Sequence, residues 1–88
     1  MFWKNVKERA IGMGEISLTE VKANKKVIVK HILGGNTMVA RLESMGIRPG
    51  STIEKVGSSF LRGPVTVKIG MSKVAIGNGM ARRIIVEE

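Results

Sequence analysis

The 88-residue chain has no cysteine, no aspartate and no tyrosine, one histidine, one tryptophan, two phenylalanines and two prolines. Without cysteine there is no disulfide framework, no thiolate metal site and no thiol nucleophile, and a cytosolic setting is the simplest one. The longest apolar runs, Val27-Ile28-Val29 and Ile84-Ile85-Val86, fall far short of the ~20 residues that span a bilayer. No continuous apolar segment near the N-terminus suggests a signal peptide. A phosphate loop ending in Gly-Lys-Ser/Thr is missing, since Gly63 is followed by Pro64. Gly77-Asn78-Gly79 opens like a dinucleotide fingerprint but lacks the third glycine. A nucleophile-base-acid triad has no Cys or Asp to draw on, and only His31 as base. Enzyme activity is therefore the poorest reading, and no motif calls for a cofactor.

What the chain does have is charge. Fifteen Lys and Arg oppose seven acids, all glutamate, for a formal net charge of +8. Such a balance points to an acidic partner: nucleic acid, an anionic membrane, or the acidic face of another protein. A basic domain whose charge only aids solubility is the plainer alternative. Residues 1–14 form a distinct N-terminal extension. Phe2, Val6, Ala10 and Met13 recur at helical spacing with Lys4, Lys7, Glu8 and Arg9 between them, and Gly12 and Gly14 end the pattern. This segment reads either as a short amphipathic helix or as a frayed terminus.

From residue 15 onward glycines punctuate short β-branched segments at 26–33, 51–57, 65–70, 72–76 and 83–87. About five short strands at near-regular spacing predict an all-β domain, and closure into a small barrel removes the exposed edges that an open sheet would leave. In Val65-Thr66-Val67-Lys68-Ile69 the apolar residues share one face. Ile53 and Val56 break that alternation, which predicts a bulge near Glu54-Lys55. Segment 26–33 is apolar on both faces, so its orientation stays ambiguous.

One short α-helix, at about 36–46, interrupts the strands. Asn36 is a suitable N-cap, and Met38, Leu42 and Met45, with Val39 beside them, make a stripe toward the core. Arg41 and Ser44 fall off that stripe. Gly46 suits the left-handed position past the helix end, with Ile47 folding back behind it. Arg48-Pro49-Gly50-Ser51 then has the residues of a type II turn. A second helical turn is expected at 79–82.

Three other chemistries can be weighed on residue type. Nucleic-acid binding by small barrels uses basic grooves with stacking aromatics, but Phe60 is the sole aromatic between 15 and 88. A transition-metal site has His31 as its weak candidate, and a half-exposed strand residue is the simpler account of that histidine. The methionines invite a soft-metal reading, but positions 38, 45, 71 and 80 are better explained by core packing.

The order Ser17-Leu18, Ile32-Leu33-Gly34-Gly35, Arg41-Leu42-Glu43-Ser44-Met45-Gly46-Ile47-Arg48-Pro49-Gly50, Gly63-Pro64-Val65, Val74-Ala75-Ile76-Gly77 and Ala81-Arg82-Arg83-Ile84-Ile85-Val86 resembles the ferrous iron transport protein A (FeoA) family over about residues 15–88. Its most specific part is the Arg-Leu-x-x-Met-Gly-Ile-x-Pro-Gly block at 41–50. The resemblance implies an SH3-like β-barrel with one inserted helix, like the C-terminal domain of iron-dependent repressors. It further implies a small cytosolic accessory of bacterial ferrous iron uptake acting on the cytoplasmic, GTP-binding part of the FeoB permease. An anionic membrane surface is a further candidate partner, whereas nucleic acid and direct metal sensing are the alternatives. Partner contacts are expected around the family block, at Arg41 and Arg48, and at Phe60, Leu61 and Arg62 in the 57–64 loop.

Overall fold

A computed structural model describes residues 14–58 and 63–88. The expected extension at 1–14 therefore falls, but for Gly14, outside the described residues. Six antiparallel strands make one sheet: β1 (Glu15–Ser17), β2 (Lys25–Ile32), β3 (Thr52–Ser58), β4 (Val65–Ile69), β5 (Ser72–Ile76) and β6 (Ile84–Glu87). Their spatial order is β1-β6-β2-β3-β4-β5. A single sheet has no second sheet to pack against. It coils on itself instead, so that Val27, Val29, Ile53, Val65, Val67, Ile76, Ile84 and Val86 meet in one buried cluster. This is the small barrel-like all-β fold expected, with six strands in place of about five. The extra strand, β1, is three residues long with Ile16 as its one apolar side chain, too short to show alternation. Among the described residues, β1 and β5 end the ladder and do not pair with each other.

Two bulges set the register. Pairing of β2 with β6 shifts between Val29 and His31. Val27 and Val29 therefore point inward before the bulge and Ile32 packs against the core after it, which accounts for the two-faced pattern of this segment. Pairing of β3 with β4 shifts between Lys55 and Gly57. The irregularity thus falls at Val56, just beyond the expected Glu54-Lys55.

Helix α1 spans Asn36–Ser44. Gly35, in extended backbone, occupies the cap position. Asn36 is already the first helical residue, one place too late to serve as the expected N-cap. Leu42 is wholly buried, Met38 and Met45 pack half-buried against the cluster, and Arg41 and Ser44 face solvent. The helix stops as the sequence predicts. Ile47 N–H donates to Leu42 C=O at 2.9 Å and Gly46 N–H to Glu43 C=O at 3.0 Å, the paired bonds of a Schellman motif, with Gly46 at φ +91°. Both Leu42 and Ile47 are fully buried. The type II turn follows: Gly50 has φ +96°, and Ser51 N–H reaches Arg48 C=O at 2.9 Å. Gly50 N–H also donates to Val29 C=O, and Val29 N–H to Ser51 C=O, both at 2.8 Å, stitching the turn to β2.

The second helix, α2 (Asn78–Ala81), starts one residue earlier than expected. It leads into β6, and Ser17 Oγ donates to Arg82 C=O at 3.1 Å, tying β1 to that corner. Met71 departs from the expectation of core packing. It lies in the two-residue turn Gly70-Met71 that joins the paired residues Ile69 and Ser72, and it is 97% exposed.

Replacing Gly46 by Ala forces a β-carbon into left-handed backbone and to 3.3 Å from Ile69 Cγ2. It is expected to cost about 1–2 kcal/mol in urea unfolding. Gly35→Ala, where a β-carbon meets nothing within 4 Å, is expected to cost less, about 0.5–1 kcal/mol, because alanine is a poorer N-cap than glycine.

Candidate interaction surface

Exposed charge dominates the outside of the sheet. Two lysines are held by glutamates: Lys30 Nζ lies 3.2 Å from Glu87 Oε1, and Lys25 Nζ lies 3.6 Å from Glu88 Oε1. Both pairs are exposed and contribute little to stability. His31 points outward from β2 with its side chain 53% exposed, and its Nε2 lies 3.3 Å from Glu15 Oε1 on β1. That oxygen is buried and accepts no hydrogen bond. Sequence spacing gave no sign of Glu15 as a neighbour, because β6 stands between β1 and β2. The pair supplies two donors, short of the three or four protein ligands a transition-metal site usually takes. Among the described residues no group of three or more His, Asp or Glu is placed to hold a metal ion.

Of the expected contact residues, Arg41 lies exposed on α1 and Arg48 exposed on the turn that follows it. They stand on either side of the Schellman stop, whose glycine and buried apolar pair are given over to backbone geometry. Phe60, Leu61 and Arg62 lie outside the described residues. The turn carrying Arg48 joins the end of the sheet where β2 and β3 meet, since Ile28 and Thr52 pair directly after it. Among the described residues no helix is long and apolar enough to cross a membrane.

The sequence model of the FeoA domain matches residues 16–88. The chain belongs to the FeoA family. It is 39% identical over 71 residues to a candidate Fe(2+) transport protein A of Methanocaldococcus jannaschii, covering 81% of this chain and 84% of the relative. Among solved structures it is similar to the crystal structure of an iron uptake regulatory protein (FeoA), with a TM-score of 0.75 and 37% identity over 85% of this chain and 97% of the other. The repressor ScaR in its Zn2+-bound form gives the same TM-score, 0.75, at 20% identity over 36% of its own length, a likeness of fold alone. Family membership ties the chain to ferrous iron transport and its fold to the FeoA, SH3-like type.

Inside this FeoA domain sits one charge that residue type alone does not predict. Lys55 follows Ile53 on the inner face of β3, is 4% exposed, and donates from Nζ to Thr19 C=O at 3.0 Å. Thr19 belongs to the 3-10 turn Leu18–Glu20, so the lysine ties that turn to the sheet. Burial pushes the Lys55 ammonium below its ordinary 10.5. Between the lowered value and 10.5 the unfolded chain binds more protons than the folded one, so stability contributed by this group rises with pH there. Urea unfolding of the FeoA chain and of Lys55→Met, from roughly pH 7.5 to 10, is expected to show the wild type gaining on the variant as pH rises. A difference that stays flat would mean that the ammonium keeps its hydration in the folded state.

Proposed function

We propose that this FeoA protein is a cytosolic accessory of ferrous iron uptake that docks on the cytoplasmic, GTP-binding part of a FeoB-type permease and regulates transport there. The observation that supports it is the match of the FeoA domain to residues 16–88, which ties this chain to ferrous iron transport. That surface is strongly basic, at +8 for the chain, which suits an acidic partner face and speeds encounter more than it deepens affinity. Turnover of GTP belongs to the permease. Arg41 and Arg48 are available to the partner, with Phe60, Leu61 and Arg62 as further contacts. Nucleic acid is the weaker partner, because base stacking draws on aromatics and the sequence from 15 to 88 has Phe60 alone.

Titration against the purified cytoplasmic domain of the permease tests the reading. Binding is expected at low salt, with affinity falling roughly tenfold as salt rises to about 0.2 M. Arg41→Glu combined with Arg48→Glu is expected to slow association by about 3- to 10-fold with dissociation little changed. Absence of binding at low salt would overturn docking.

A further inference from the structure

The outer face of β2–β5 holds a charge pattern that ion pairing among the described residues does not satisfy. Register sets Lys26 opposite Glu54, Glu54 opposite Lys68, and Lys68 opposite Lys73. Four charged side chains thus form one row across four strands, roughly 14 Å long at the usual ~4.8 Å between strands. None of the four takes part in an ion pair within 4.0 Å among the described residues. Lys68 and Lys73 face each other directly, and like charges in that position repel. A carboxylate arriving from outside relieves this repulsion.

Beside the row, toward the β4–β5 turn, the surface is concave. Lys26, Thr52, Ile53, Glu54, Lys68 and Gly70 line a shallow hollow of about 230 Å³. Gly70 contributes no side chain to fill it, and a β-carbon there would meet nothing within 4 Å. Of the three large apolar side chains exposed among the described residues, Ile28, 41% exposed, is paired with the lining residue Thr52, and Met71, 97% exposed, follows the lining residue Gly70. Three cations around one acid, beside a small hollow with a mostly polar lining, suit a chain that carries several carboxylates.

We infer that this face is a docking groove for an acidic segment of a partner protein, with carboxylates seated on Lys26, Lys68 and Lys73. A polypeptide fits better than a lipid surface on two counts. Glu54 stands in the middle of the row, where a uniformly anionic bilayer would be repelled, and the surface is concave where a bilayer needs a protrusion. The inference deepens the docking reading by giving it a surface, and it relies on that reading only for the identity of the partner.

The test uses the full chain, a variant carrying Lys68→Glu with Lys73→Glu, and a control carrying Arg82→Glu with Arg83→Glu, which changes the net charge equally at exposed sites just before β6. Circular dichroism first establishes that both variants fold. Each is titrated with the permease's cytoplasmic domain, with a capped decapeptide of alternating glutamate and leucine, and with vesicles of phosphatidylcholine and phosphatidylglycerol. The sheet-face variant is expected to bind both the domain and the peptide about tenfold or more weakly, and the control within about twofold of wild type. Amide shifts induced by the peptide are expected along β2 to β5. If the domain fails to bind wild type while the peptide binds through Lys68 and Lys73, the groove stands and the permease reading falls. If the domain binds the sheet-face variant as well as wild type, docking stands and the groove is wrong. Equal weakening of variant and control, or binding of vesicles without peptide, also overturns the groove.

Discussion

Residues 42–51 hold the rest of this fold in place. Leu42 and Ile47 are both fully buried, and the backbone bond between them closes α1 in the same few ångströms where the core begins. Three residues later the Pro49-Gly50 turn bonds in both directions to Val29, so the end of the helix is fastened to the strand that preceded it. The constraint is one of backbone geometry: two glycines at positive φ, 46 and 50, reverse the chain twice within five residues. The apolar pair then makes the reversal coincide with burial. Because of this knot, β3 begins in register with β2, and from β3 the register passes to β4 and β5.

Economy of side chains follows from the same geometry. The core is aliphatic, without an aromatic ring among the described residues, and a sheet of short strands must coil tightly to bring small side chains together. Its inner face is taken up by packing and its outer face is left to charge. Lys55 is the exception that confirms the division: a charge on the inner face is tolerated only where a backbone carbonyl receives it, and there it fastens the turn after β1 to the sheet.

Local features were legible in the residues. Helix, glycine stop and tight turn all rest on interactions within four or five positions, and they stand where Leu42, Gly46, Ile47, Pro49 and Gly50 predict. The structure departs from the local expectation where the outcome depends on distant chain. The cap fell on Gly35 because the approach from β2, and not the preference of Asn36, sets where the helix begins. Three-residue β1 carries no period of its own and exists because β6 offers it an edge. Met71 looked like core because it flanks two strands, yet a two-residue hairpin turn points it away from them. The inward Lys55 could have been found from the alternation Thr52, Ile53, Glu54, Lys55, but its carbonyl partner could not, since Thr19 is 36 positions away.

For the candidate surface the balance is reversed. The sequence by itself determined the excess of positive charge, the family block at 41–50 and the strand-rich class, because these depend on composition and on neighbours in the chain. Which cations stand together was decided only in the tertiary structure. Lys26 is brought into line with Lys68 and Lys73 through Glu54 by three successive strand pairings, and each pairing is set by bulges and turns that a one-residue slip would undo. Arg41 and Arg48, which the family motif brings to notice, lie exposed on either side of the Schellman stop, while the lysines of the row have no motif around them.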